Sequence, residues 1–170
     1  GKLGAVVRWC NHANSTPPMI ARVNRHRSSI QDVLAMLAED GAEAIPHSNH
    51  QSVVILRSTD LTQLRAFREG LIQPQDPTAT GVVSAMNLQP GMKVLDLCAA
   101  PGTKTMHMAE RMGNEGHIVA VDISEEKLAR IQDSADRMGV TIVKPIHAME
   151  LAGEEVGTFD VVLADVPFSN

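Results

Sequence analysis

The apolar positions of this chain change period several times, and each change marks an element. Val6, Val7, Cys10 and Ala13 recur at helical spacing, which predicts a short amphipathic helix over residues 4–13. Ser15-Thr16-Pro17-Pro18 interrupts it, because proline cannot donate to a helix ladder. Met19 to Val23 then reads as a strand. Ser28 followed by Gln31 has the form of a capping box, and Ile30, Val33, Leu34 and Leu37 make one helix face that Gly41 stops. Strands are predicted over 42–46 and 52–57. Asp60 caps a helix carrying Leu61, Leu64 and Phe67 that ends near Gly70, and a further strand over 71–75 follows.

From Asp76 the texture changes. Asp76 caps, Pro77 takes the first helical position, and Val82, Val83 and Met86 form the apolar stripe of a helix that Pro90-Gly91 closes. Strands over 93–97, 117–122, 141–146 and 159–165 then alternate with helices over 104–112 and 125–138. Alternation of this kind predicts a parallel, Rossmann-like sheet with right-handed crossovers and a ligand crevice at the carboxyl ends of the strands. The chain therefore divides into residues 1–75, an N-terminal helix and a small split βαβ module of ferredoxin-like or RNA-recognition-like pattern, and residues 76–170, an α/β domain.

Charge sharpens this division. The net charge is −5 over 170 residues, yet residues 1–75 carry +2 and residues 76–170 carry −7. Any nucleic acid contact through phosphates falls mostly to the first part, with Arg22, Arg25, Arg27 and, at the crevice mouth, Lys104 as the candidate cations. Aromatic residues make up 2% of the chain and tyrosine is absent, which argues against base-stacking platforms. Cys10 and Cys98 are far apart and each lies in an apolar pattern, as reduced thiols of a cytoplasmic protein would. No apolar run approaches the roughly 18 residues a membrane helix needs; the histidines contain no H-x-x-x-H pair, and His47-x-x-His50 falls in a predicted loop without cysteine support, which argues against a metal site.

The chemistry concentrates in residues 94–105, Val-Leu-Asp-Leu-Cys-Ala-Ala-Pro-Gly-Thr-Lys-Thr, a buried strand running into a glycine turn that opens a helix. Such a turn aims backbone N–H groups and the positive helix end at a ligand's polar group. A dinucleotide fingerprint needs G-x-G-x-x-G, and here Gly102 stands alone behind Ala99, Ala100 and Pro101. A nucleoside without a pyrophosphate fits better, and S-adenosylmethionine is the common one. Asp122 ends the next strand, where a carboxylate can accept both hydroxyls of a ribose, with Ile123 beside it; the alternative is an acid that merely precedes the helix cap Ser124. Asp96 either reaches the cofactor's amino group or binds the turn's own N–H groups. Lys104 at a helix start calls for a compensating anion unless solvent alone surrounds it. Asp165, after Val161-Val162-Leu163-Ala164, emerges at the end of another buried strand facing the same crevice.

Asp96 to Thr105 resembles motif I of the Sun/Fmu family of RNA cytosine carbon-5 methyltransferases, D-x-C-A-A-P-G-G-K-T, with Thr103 as the departure. Pro18 to Asn24 is similar to the family's P-M-x-x-R-V-N, Gln75-Asp76 matches before a helix, and Asp160 to Asn170 is similar to D-x-x-L-x-D-x-P-C-S-N. The resemblance implies a Rossmann-like methyltransferase domain behind a small ferredoxin-like module, S-adenosylmethionine as cofactor, and ribosomal RNA as partner. It implies cofactor contacts from Asp96, Cys98, Ala99, Ala100, Pro101, Gly102, Thr103, Lys104, Asp122, Ile123 and Asp165, and catalytic roles for Asp165 and Lys104. Asp165 matches the motif IV aspartate that stabilises the pyrimidine N3 while a thiolate adds to carbon-6.

Phe168 stands where the family has a cysteine, and Ile146-His147 stands where it often has Gly-Asp on the adenine. The family's nucleophile lies in a Thr-Cys motif downstream of motif IV, so this chain is expected to be a cofactor-binding fragment inactive by itself. The competing reading is a non-catalytic RNA- or ribosome-binding protein with a structural cofactor site, and the glycine pattern disfavours a dinucleotide oxidoreductase.

Overall fold

The computed structural model describes residues 18–57, 60–151 and 157–166, together with Gly4 and Val6. Apart from those two helical residues, the helix predicted over 4–13, with Cys10, lies outside the described residues, as does Phe168.

The first sheet is antiparallel, in the order β2 (Glu43–Pro46), β3 (Ser52–Arg57), β1 (Met19–Val23), β4 (Ile72–Pro74). Two helices, α1 (Ile30–Glu39) and the short α2 (Arg65–Arg68), cover one face. Strand period 2 sends Ala21, Val23, Val53 and Ile55 to that face, where they pack with Ile30, Val33 and Leu37 of α1 and with Leu64 and Ala66. The opposite face buries polar side chains: Arg22, paired in register with Ser52 on one side and Gln73 on the other.

Local differences from the sequence reading have physical causes. The cap of α1 is Ser29, whose hydroxyl oxygen accepts from the Asp32 N–H at 3.1 Å, because Ser28 is held one residue earlier by the Asn24 carbonyl. The helix predicted after Asp60 splits into a 3-10 turn, Leu61–Gln63, and α2. Leu64 turns extended to bury its side chain, and the Asp40 carboxylate accepts the Arg65 N–H at 2.7 Å in place of a local cap.

The second sheet is parallel, in the order β7 (Val143–His147), β6 (His117–Asp122), β5 (Lys93–Asp96), β8 (Val161–Leu163). Helices α3 (Pro77–Ala85), α4 (Thr103–Arg111) and α5 (Glu125–Met138) contribute Val83, Met106, Met108, Leu128, Ile131 and Ala135 to the face formed by Val94, Ile118 and Ala120. On α3 the buried partner of Val83 is Thr80, one turn before it, whereas Val82 is 44% exposed; a helix rotates about 100° per residue, so adjacent valines cannot share a face. Leu95, Val119 and Val121 meet Phe159 and Leu151 on the other face. β8 is a three-residue edge strand with Val162 exposed, not the buried strand expected over 159–165.

The chain moves outward from β5 to β6 to β7 and returns to place β8 on the far side of β5. That reversal opens a crevice between the carboxyl ends of β5 and β8.

The two sheets are tied together through α4 and α5. Arg22 forms an ion pair with Glu110 of α4, and both are almost wholly buried. Arg137 of α5 donates to the Phe67 carbonyl at 2.6 Å and to the Gln73 side chain, and its guanidinium lies 4.1 Å over the Phe67 ring. A Cβ on Gly70 would sit 2.2 Å from the Arg137 carbonyl oxygen, so only glycine permits this approach. Arg22, a phosphate-contact candidate by sequence, is therefore a structural cation.

Candidate functional site

Val94 and Leu95 are buried apolar residues of β5, and they carry Asp96 to the end of the strand, where it too is buried. The chain then leaves the sheet under control of its neighbours: the Leu97 N–H donates to the Leu163 carbonyl at 2.9 Å and the Ala99 N–H to the Val121 carbonyl at 3.0 Å. The Ala100–Pro101 peptide is cis. Gly102 closes the turn at φ +92°, donating to the Ala99 carbonyl at 2.7 Å, and caps α4 without a side chain. A Cβ there would lie 3.3 Å from Ile131 Cγ1, a tight contact that adds to the strain φ +92° would impose on any other residue.

One turn into α4, the Thr105 hydroxyl donates to Asp96 Oδ2 at 2.7 Å, while Asp96 Oδ1 has no hydrogen-bond partner. Burial pushes the Asp96 carboxyl up to about 6, against the opposing pull of the Thr105 hydrogen bond and the Lys104 charge. Sequence reasoning did not include Thr105 among the site residues. Its signal was the helix phase that turns it back toward the strand it follows.

Lys104 finds the anion its position called for. Its Nζ lies 2.5 Å from Asp165 Oδ2, with the lysine side chain 21% and the aspartate 55% exposed. Asp96, Cys98, Ala99, Ala100, Pro101, Thr103, Lys104 and Asp165 together enclose a cavity of about 70 Å³. Eight of the eleven candidate positions thus surround one small opening, with Gly102 forming the turn beneath. Cys98 is half-buried there.

Asp122 and Ile123 stand apart from that cavity. Asp122 Oδ1 accepts the Ile123 N–H at 2.9 Å and the Ser124 N–H at 3.3 Å. Only Oδ2 has its lone pairs open to a ligand, so the carboxylate combines both readings, loop support and a potential hydroxyl acceptor. The Ile123 side chain is 78% exposed. His147, at the end of β7, is pinned: Nδ1 accepts the Met149 N–H at 3.3 Å, so Nε2 carries the proton that meets the Ile123 carbonyl at 3.0 Å.

The sequence pattern of residues 83–170 matches the family described as 16S rRNA methyltransferase RsmB/F. The chain belongs to this family. Residues 5–62 match the ferredoxin-like domain described for RsmF/B-like methyltransferases, in agreement with the resemblance read from motif I and with the antiparallel sheet. The family is of the S-adenosylmethionine-dependent type. Ribosomal RNA small subunit methyltransferase B from Citrobacter koseri is 38% identical over 161 residues, covering 92% of this chain and 37% of the relative. The protein of the same name from Escherichia fergusonii matches to the same extent. The chain thus spans about 37% of the length of the curated relatives it matches.

Among solved structures, PH0851 superposes with a TM-score of 0.82 at 34% identity, over 91% of this chain and 36% of that one. NSun6 from Pyrococcus horikoshii, solved with SFG, shares the fold with a TM-score of 0.80 at 17% identity, over 89% of this chain and 64% of its own.

Proposed function

We propose that this chain provides the cofactor crevice and part of the catalytic machinery of an enzyme that transfers methyl from S-adenosylmethionine to carbon-5 of cytosine in ribosomal RNA. The observation that carries the reading is the Lys104–Asp165 pair, which joins the β5 turn to the end of β8 directly beside Asp96. Acids from two strands meeting at the strand-order reversal are what a cofactor and a base need in order to face each other.

Bound in the crevice, S-adenosylmethionine would supply an electrophilic methyl group. The turn residues Cys98, Ala99, Ala100, Pro101, Gly102 and Thr103 would hold it through close backbone approach, Asp96 Oδ1 would accept its amino group, and Asp122 Oδ2 would accept a ribose hydroxyl next to Ile123. Asp165 would face the pyrimidine N3, and Lys104 would keep that carboxyl in place. Cytosine carbon-5 becomes nucleophilic once a thiolate adds to carbon-6, and a positioned acid at N3 stabilises the species formed. We place the boundary between the ferredoxin-like module and the methyltransferase domain at residues 75 and 76, and the protein in the cytoplasm with ribosomal RNA as partner.

The test is transfer of labelled methyl from S-adenosylmethionine to unmodified 16S ribosomal RNA by the full-length protein, followed by digestion to nucleosides. Label in 5-methylcytidine, reduced at least a hundredfold by Asp165→Asn, is expected from loss of a catalytic acid. Label on another nucleoside would overturn the cytosine assignment, and Asp165→Asn with unchanged turnover would remove Asp165 from the chemistry.

A further inference from the structure

A second opening lies at the far end of α4. The turn after β1 (Arg25 and His26), the turn between β2 and β3 (Asn49 and His50) and the last residues of α4 (Glu110 and Arg111) line an open groove of about 600 Å³. At about 1.5 Å per residue, the nine residues of α4 separate it from the Gly102 turn by roughly 13 Å. The methyltransfer crevice uses none of these side chains.

The charge balance of the groove is decided by what is buried behind it. Glu110 would repel an anion, but Oε2 is paired with Arg22 and Oε1 accepts the Arg25 N–H at 2.7 Å, leaving its side chain 7% exposed. Its charge is spent inside the fold. Arg25 and Arg111 are exposed, and the imidazoles of His26 and His50 stand beside them. In a chain of net charge −5 the groove is a local concentration of donors without acceptor charge.

The rim is shaped as well. Asn49 Oδ1 accepts the Gln51 and Ser52 N–H groups at 3.0 Å, and His50 adopts φ +56°, a left-handed conformation uncommon outside glycine. Arg25 reaches across to the His50 carbonyl at 3.3 Å, which spends one of five guanidinium donors. The carboxyl end of α4 carries a partial negative charge, so anion attraction must come from these side chains and not from the helix.

We infer that this groove holds a phosphodiester of the RNA strand, remote from the crevice where methyl is transferred, with Arg25 and Arg111 as its cations. The inference rests on the RNA methyltransferase reading above. Phosphate contacts of this kind fix the register of a nucleic acid without reading its sequence, so the groove would orient the strand whose cytosine enters the crevice. Among the described residues no Phe, Tyr or Trp lines the groove, and its exposed cations are arginines, which suit a backbone phosphate.

The experiment measures binding of unmodified 16S ribosomal RNA to the full-length protein across a salt series, for the native protein, for Arg25→Gln with Arg111→Gln, and for Arg130→Gln as a remote control. Calorimetry with S-adenosylmethionine accompanies each, and inorganic phosphate at equal ionic strength serves as competitor. The groove variant is expected to lose roughly three- to tenfold in affinity and about two from the slope of log affinity against log salt, with the control and the cofactor affinity unchanged. Competition by inorganic phosphate as strong as by RNA would assign the groove to a free anion and overturn the proposal. So would an unchanged slope in the groove variant, or no RNA binding by the native protein. Loss of cofactor binding in the native protein, with the slope still dependent on the groove, would sink the methyltransferase reading and leave the groove standing.

Discussion

The Thr105 hydroxyl donates at 2.7 Å to Asp96 Oδ2, tying the first turn of α4 back onto the strand that precedes it. The bond holds a carboxyl whose other oxygen is buried without a partner. Burial raises the folded-state value of Asp96 to about 6 from an unfolded value of 3.8. The folded protein therefore binds the proton more tightly, and stability attributable to Asp96 is present at and below about pH 4 and lost as pH rises through 6. At 1.36 kcal/mol per unit the loss approaches about 3 kcal/mol. Asp96→Asn should thus gain stability over the native chain at pH 7 by up to that amount and little at pH 4, as read by urea unfolding. Equal differences at both pH values would refute a carboxyl whose burial raises its proton affinity.

Asp122 uses Oδ1 on its own loop and has Oδ2 open. Calorimetry with S-adenosylmethionine should show Asp122→Ala weakened by roughly 1–3 kcal/mol, since a buried acceptor is lost together with the loop it supports. Asp122→Asn keeps one acceptor oxygen and should fall between the two. An affinity equal to the native value in both variants would remove Asp122 from the site.

Breaking the buried Arg22–Glu110 pair from one side strands a charge. Arg22→Met should cost about 3–5 kcal/mol in denaturant unfolding, and adding Glu110→Gln should recover much of it, because the uncompensated carboxylate is then gone. Additive losses in the double variant would mean that the two residues stabilise the fold separately.

The 170-residue chain should bind cofactor yet transfer no methyl to unmodified ribosomal RNA. Cys98 lines the small cavity at the glycine turn and is half-buried there, so it is expected to pack beside the cofactor and not to attack a pyrimidine carbon-6. Phe168→Cys restores the residue the family has after the motif IV proline but supplies no nucleophile, so activity should stay at background. The readout is labelled methyl in RNA. Robust transfer by this chain that Cys98→Ser abolishes would make Cys98 the attacking thiol.

Elements and their order were legible because period and punctuation are local properties. Ser124 and Gly139 bound a helix of 14 residues whose apolar stripe runs through Leu128, Ile131 and Ala135, and the strand over 117–122 ends on its acid, as the sequence alone predicts. The motif around Gly102 was legible for the same reason, since one turn of chain contains all of it. What the sequence could not decide was which distant residues meet. Lys104 needed an anion, but its pairing with Asp165, 61 positions on, depends on β8 returning to the far side of β5. Arg22 looked like a surface cation in a basic stretch; the face on which it lies is buried only because α4 packs there and brings Glu110 to it. Local free energies select helices, strands and caps. The ownership of charge, by contrast, is set by burial and by partners brought from elsewhere in the chain, and these exist only once the two sheets have closed on one another.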